Sequence, residues 1–405
     1  MKIKWRVKDN FLQIVQLVLF FLVSLNLANL YFYLIFLAFF ICVLANCKNF
    51  KVDSVFVILL LLSFSYILFY PPTRDTYTTL LKQFSYPICY AIGLNLFPRK
   101  AQGGSAKQDV GRQIKLAILV VSMGAFLHYL LNAVTNFDSS SRNTVDYWTG
   151  DVLSATGQAL LAIMALSVFS VWLIVDCPIR IKCLSLIGFV IIFAYNFVLA
   201  GRTILMLGAI IAIVAFIYNQ KCAAKSGHMR TYLFLSTFIL VLLVLFFNNA
   251  FGVRDWILNS NLANRFTSAN ALEDIRFKNK WKYVMHMFEF PWGGGEIQDI
   301  IGGYAHELYL DVYSDVGIFG YICVWTVVII SIVNVIKLMK SEVLSAEINN
   351  MLLCVFLGIM AVFMLEPILQ GAPWLFCIFC FLSGVIQGSK RCLIVSKRTI
   401  RNYRK

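Results

Sequence analysis

Apolar runs of about twenty residues recur along the whole chain, separated by shorter polar intervals. A helical run of that length reaches across the ~30 Å hydrocarbon core of a bilayer. Several runs, at 57–69, 116–121 and 233–247, are apolar on every face. A transmembrane β-barrel would instead show ten-residue alternation. The pattern therefore predicts an all-α, polytopic membrane protein. Twelve transmembrane helices fit it, at roughly 11–27, 30–47, 54–70, 81–97, 115–134, 155–175, 183–200, 203–219, 231–249, 317–337, 351–366 and 374–388. The first run follows Lys2, Lys4, Arg6 and Lys8, and no small-residue cleavage site precedes the second. It reads as a signal anchor.

The polar intervals are unequal. On one side of the twelve-span arrangement lie 71–79, 136–157 and 248–316. The last is about seventy residues long, and a loop of that length with its own periodicity is usually functional. Within it, Phe277, Trp281, Val284 and Phe288 recur at helical spacing. The spacing predicts an amphipathic helix over 274–290, lying at the membrane surface. Pro291 ends it, Gly293, Gly294 and Gly295 make a turn, and a second helix starts near His306 and runs through Gly317 into the tenth span. No internal repeat, linker or soluble domain is visible. Residues 1–405 read as a single membrane domain, with the loop 248–316 carrying its chemistry.

Composition sharpens this. Sixty per cent of the residues are apolar and 14% charged, so polar surface is scarce. It concentrates in 276–320, which holds two of the four histidines. The net charge of +15 is explained by topology. With the N-terminus inside, the cytoplasmic segments hold 25 of the 35 basic residues, as the positive-inside rule requires. Both termini are then cytoplasmic, and the basic tail 389–405 rests on anionic headgroups. A nucleic-acid partner is not needed to explain the charge; membrane lipid is. The eleven cysteines fall in spans or on the cytoplasmic side, so no structural disulfide is expected. Cys377 and Cys380 form a C-x-x-C inside an apolar helix, where packing is the plain reading.

Candidate chemistry follows from charge at membrane depth. Arg202, beside Gly201, stands between two apolar runs with almost no loop between them. An arginine there must be hydrated or paired with an anion, and its planar fork grips phosphate bidentately. A snorkelling arginine is the bland alternative. Arg276 opens the amphipathic helix, with Lys278, Lys280 and Lys282 behind it as a solvated or headgroup-binding face. Arg265 and Arg254 are weaker candidates of the same kind. His306 follows Gly302 and Gly303, and its imidazole can take a proton from a sugar hydroxyl near neutral pH. Glu307, Asp311 and Asp315 follow at four-residue steps and share a helix face; one could orient the imidazole or hold an acceptor sugar. There is no DxD and no histidine pair at ligand spacing, so no metal or cofactor is expected. In the loop 138–157, Tyr147 and Trp148 beside Asp146 and Asp151 suit sugar stacking, or an aromatic belt. Arg142 and Arg74 could add to a phosphate site. His286 reads as interfacial, while His128 lies in a span and His228 in a cytoplasmic loop.

These residues resemble those of the bacterial O-antigen polymerase and O-antigen ligase superfamily. Its pattern is Arg, Trp, an apolar helix ending in Pro and glycines, then His, Leu and paired glycines entering a span. Here it reads Arg276, Trp281, Pro291 with Gly293 to Gly295, His306, Leu310, Gly317 and Gly320. Gly201-Arg202-Thr203 matches an arginine at a tight periplasmic turn. One departure is Glu307, where the family often has Asn. The resemblance implies an inner-membrane glycosyltransferase with its active site on the periplasmic face. The donor would be a glycan on undecaprenyl pyrophosphate, with Arg202 and Arg276 on the pyrophosphate and His306 as general base. The reaction would be inverting and metal-independent. Apart from the resemblance, the residues themselves make Arg265, Glu307, Asp311, Tyr147, Trp148 and Arg142 the candidate substrate contacts. The acceptor would be a second lipid-linked repeat for a polymerase, or lipid A–core for a ligase, and the polymerase is the first expectation. A chain-length regulator and a flippase are the protein partners such a role implies. A lipid-linked oligosaccharide transporter is the rival from another class; the absence of related halves argues against it.

Overall fold

The computed structural model describes residues 2–47, 49–70, 81–96, 106–137, 143–222, 237, 240–241, 243–260, 262–263, 275–341 and 343–403. About half of the span expected at 231–249 lies outside them, as do Arg74, Arg142, His228 and Arg265.

The described chain is mostly helical. Its elements are α1 (Lys2–Ser24), α2 (Tyr31–Asn46), α3 (Ser54–Phe69), α4 (Ser85–Asn95) and α5 (Ala106–Asn136). A small hairpin, β1 (Asn143–Val145) and β2 (Val152–Ser154), precedes α6 (Ala155–Ile174), α7 (Ile179–Val198), α8 (Arg202–Cys222) and α9 (Val253–Leu258). Then come α10 (Ile275–His286), α11 (Glu296–Ile301), α12 (Leu308–Met339), α13 (Ala346–Phe363), α14 (Ile368–Gly371) and α15 (Pro373–Tyr403). Among the described residues seven helices, α5 to α8, α12, α13 and α15, are long and apolar enough to cross a membrane. Shorter apolar helices cover Phe11–Ser24, Tyr31–Asn46 and Ser54–Phe69.

Two expected spans are shorter than the apolar pattern suggested. The first helix stops at Ser24 because Asn26, Ala28 and Asn29 take positive φ. The fourth is cut at Phe84, leaving the 11-residue α4. Pro87 is the physical cause: it has no amide to donate, and its ring crowds the carbonyl four residues earlier. Eleven residues span only about 16 Å as a helix.

Contacts divide the chain into two compact units. The first comprises Met1–Gly124, Ile275–Ser345 and Met360–Lys405; the second, Ala125–Asp274 and Ala346–Ile359. In the first, α4 and α15 touch backbone to backbone. A Cβ on Gly93 would lie 2.1 Å from the Phe381 carbonyl oxygen, and one on Gly384 would lie 2.2 Å from that of Tyr90. Small residues permit such an approach between apolar helices. Asp53 caps α3 by accepting from the Val55 and Phe56 amides at 3.1 and 3.2 Å. Its other oxygen accepts from the Tyr90 hydroxyl at 2.9 Å and Arg391 Nη2 at 3.0 Å, joining α3, α4 and α15.

The long helix α12 is kinked at Gly317, whose φ of 70° and ψ of −164° only glycine adopts readily. The turn after α10 docks on that kink. Pro291 O accepts from the Ile318 amide at 2.9 Å, while the Gly294 and Gly295 amides donate to the carbonyls of Asp315 (3.0 Å) and Ser314 (2.9 Å). A Cβ on Gly293 would sit 2.4 Å from the Gly317 amide nitrogen. The glycines are therefore packing devices as well as a turn.

In the second unit α6 is almost wholly buried. Ser167 donates to the Cys354 carbonyl at 3.1 Å and Asn350 to that of Ala215 at 2.9 Å, tying α13 to α6 and α8. The hairpin pairs Thr144 with Leu153 in antiparallel register.

Candidate functional site

The first unit gathers the polar residues of 276–320 around α10. That helix has three faces. Arg276 and Lys280, one turn apart, share the inward face with the fully buried Tyr283. Phe277, Trp281 and Met285 present an exposed apolar face, and Phe288 continues it at 75% exposure. Lys278 and Lys282 are exposed on the third. Arg276 Nη1 pairs with Glu366 Oε1 at 3.1 Å. Lys280 Nζ lies 3.3 Å from Glu307 Oε2 and donates to the Met364 carbonyl at 2.6 Å. Lys280 is thus a member of the cluster, unlike its two neighbours. Burial pushes the Glu307 carboxyl above its usual range, against the opposing pull of Lys280.

His306 and Glu307 join the loop 302–307 to α12. Gly302 has φ 79°, and His306 itself sits in the left-handed region at φ 58°. The loop is fastened on both sides. The Tyr283 hydroxyl donates to Gly303 O at 2.9 Å, and Ala305 is buried with Tyr283, Ile297 and Leu310. Asp311 is fully buried, and its two oxygens accept from the Ala305 and Glu307 amides at 2.8 and 3.0 Å. That carboxylate is committed to backbone and is not offered to a sugar. Asp315, also buried, accepts from the Gln370 side chain at 2.5 Å and the Tyr66 hydroxyl at 3.2 Å. Arg276, Lys280, Glu307 and Glu366 therefore form one group of cations and carboxylates at the head of a long apolar helix, and His306 adjoins it as the residue before Glu307. Chemically, it can hold an anion and take up a proton.

Arg202 opens α8 in the second unit and is partly exposed. It makes no hydrogen bond or ion pair among the described residues. The turn before it is tight: Ala200 has φ 52°, and the Gly201 amide donates to Asn196 O at 2.8 Å. Asn196 is itself buried and donates to the Tyr129 hydroxyl at 2.7 Å.

The hairpin of the second unit carries Tyr147, exposed, and Trp148, half-buried, as an edge-on pair with centroids 4.9 Å apart. It is pinned to the end of α5. The Tyr147 amide donates to Asn132 Oδ1 and the Val145 amide to Asn136 Oδ1, at 2.8 and 2.9 Å. His128 Nε2 meets Asp146 Oδ2 at 2.8 Å, with the imidazole 2% exposed. Burial raises the Asp146 pKa, but His128 and the Trp148 and Thr149 amides outweigh it and hold the carboxyl at about 2.

Two partners escaped the sequence reading. Glu366 lies ninety residues from Arg276, and Asp146 eighteen from His128; neither separation leaves a periodic trace. Glu366 gave one signal, an acidic residue at the edge of an apolar run; Asp146, in the middle of the polar interval 138–157, gave none that pointed to His128. His286 is exposed and bonded to Glu289 at 3.1 Å, apart from the cluster. Among the described residues no group of His, Cys, Asp and Glu is arranged to hold a metal. No protein-family model matches the chain, and comparison with curated proteins likewise yields no match.

Proposed function

We propose that the chain is a membrane glycosyltransferase that polymerises lipid-linked glycan repeats. The growing chain would pass from undecaprenyl pyrophosphate to the nonreducing end of a second lipid-linked repeat. The observation that carries the reading is the group that His306 adjoins. His306 directly precedes Glu307, which holds the cation Lys280, and Arg276 stands one turn from Lys280 on the same helix face, in a chain otherwise made of apolar helices. A lipid-borne diphosphate sugar presents an anion and an anomeric carbon at that level of the membrane. His306 takes the proton of the acceptor hydroxyl, whose oxygen attacks the anomeric carbon from the face opposite the leaving group. The bond from carbon to diphosphate oxygen breaks with inversion, and the departing charge is met by Arg276 and Lys280. Glu366 and Glu307 already hold those cations in place, so little reorganisation is needed. The larger proposal keeps twelve spans, a periplasmic loop 248–316 and cytoplasmic termini. Arg202 remains a phosphate contact by resemblance alone.

The test is a gel of surface polysaccharide from a strain lacking the gene, complemented with variants. Wild type and Lys278→Ala are expected to restore a ladder. His306→Ala, Arg276→Ala and Lys280→Ala should leave lipid A–core with a single repeat, with polymer down by ~100-fold or more for His306→Ala. Bare core, with long chains retained on the carrier, would identify a ligase instead. A normal ladder from His306→Ala would sink the assignment.

A further inference from the structure

His306 is the one residue of the loop 302–307 that is both non-glycine and left-handed, with φ 58°. Residues with a side chain are uncommon in that region, histidine less so than most, and local contacts hold the backbone there against the cost. The side chain that bonds on both sides of it is Asp311. Its Oδ1 accepts from the Ala305 amide at 2.8 Å and its Oδ2 from the Glu307 amide at 3.0 Å. One carboxylate therefore straddles His306.

The bond to Glu307 alone would be ordinary helix capping, since Glu307 is the N-cap residue of α12. The bond to Ala305 is different. It lies outside the helix, adds nothing to the helix end, and closes a ring around His306. Asp311 is completely buried, so it cannot reach a substrate directly. The two glycines before it, Gly302 and Gly303, supply no stiffness of their own. Tyr283 and the packing of Ala305 hold the loop as a whole, but among the described residues Asp311 is the acceptor that the Ala305 and Glu307 amides share.

We propose that Asp311 is a positioning residue whose carboxylate, by holding the amides of Ala305 and Glu307, fixes His306 in its left-handed conformation and so aims the imidazole at the acceptor hydroxyl. The inference deepens the glycosyltransferase reading and rests on it.

The chain has four histidines, His128, His228, His286 and His306. Labelled at Cε1, they give four resonances in the full-length protein in detergent, and His306→Ala assigns the one of interest. Asp311→Asn keeps the shape of the side chain but replaces one acceptor with a donor. It is expected to move the His306 resonance and leave the other three in place. In the gel it should cut polymer at least ten-fold at unchanged protein level. An unmoved His306 resonance, or a wild-type ladder from Asp311→Asn, overturns the proposal. Should the variant fail to accumulate, amide exchange on wild type decides. Protection at Ala305 and Glu307 above that at Tyr304 supports the clamp, and equal exchange overturns it. A normal ladder from His306→Ala brings down the functional reading, and with it the role given to Asp311. A collapsed ladder there with a normal one from Asp311→Asn brings down the positioning role alone.

Discussion

Asp146 shows how a single carboxylate can hold an element in place. Its pKa of about 2 lies below the ordinary aspartate value of 3.8, so the folded state binds its proton less readily than the unfolded chain. Stability from such a group is complete above the ordinary value and is lost as pH falls through the lowered one. Asp146→Asn should therefore lower the unfolding free energy in detergent above pH ~4, by about 3 kcal/mol for a buried pair. The gap to wild type should close toward pH ~2. A gap that stays constant over that range would show that the His128 contact does not set the carboxyl's acidity. At this scale the sequence exposed charges but not their partners. Arg276 and His306 stand out because charge is rare in this chain. Glu366 does not, because nothing along the chain ties it to Arg276.

For the elements, apolar periodicity served well and backbone contact was invisible. The helix expected over 274–290 is α10 with a short 3-10 turn after it, and Phe277, Trp281, Val284 and Phe288 do share an exposed face. The start of α12 just past His306 and its passage through Gly317 were legible as well. The close seam between α4 and α15 was not. Gly93 and Gly384 look unremarkable in an apolar run, yet each occupies space that a Cβ would need. Gly93→Ala is expected to destabilise by about 1–3 kcal/mol, because the added methyl must push the Phe381 carbonyl away. Gly371→Ala is the control, as its Cβ would meet nothing nearer than 3.9 Å. Equal thermal midpoints in detergent for the two variants would mean that the seam yields freely.

Across the whole molecule, the distribution of basic residues predicts an orientation. Fluorescent-protein fusion after Lys390 should glow, and alkaline phosphatase fused after Gly302 should be active, placing the tail inside and the His306 loop outside. Phosphatase activity at Lys390 would invert the arrangement and put His306 on the cytoplasmic side, where a periplasmic transferase could not use it. Polar satisfaction is solved separately in each unit. The first meets its buried carboxylates with Arg276, Lys280, Arg391 and backbone amides. The second relies on amides and a histidine, with His128, Asn132 and Asn136 spaced by four along α5.

The sequence by itself determined the class of molecule: helical, membrane-embedded and poor in charge. Those properties depend on local periodicity and composition, which each segment carries independently of the others. It also marked His306, Arg276 and the glycines as unusual, since each departs from its surroundings. Only the tertiary structure decided which charges pair, that Lys280 turns inward while Lys278 and Lys282 stay out, and that Asp311 grips the backbone on both sides of His306. Those outcomes depend on loop closure and on helices meeting over ninety residues of chain. The contact geometry that fixes them has no counterpart in the spacing of residues along a strand of text.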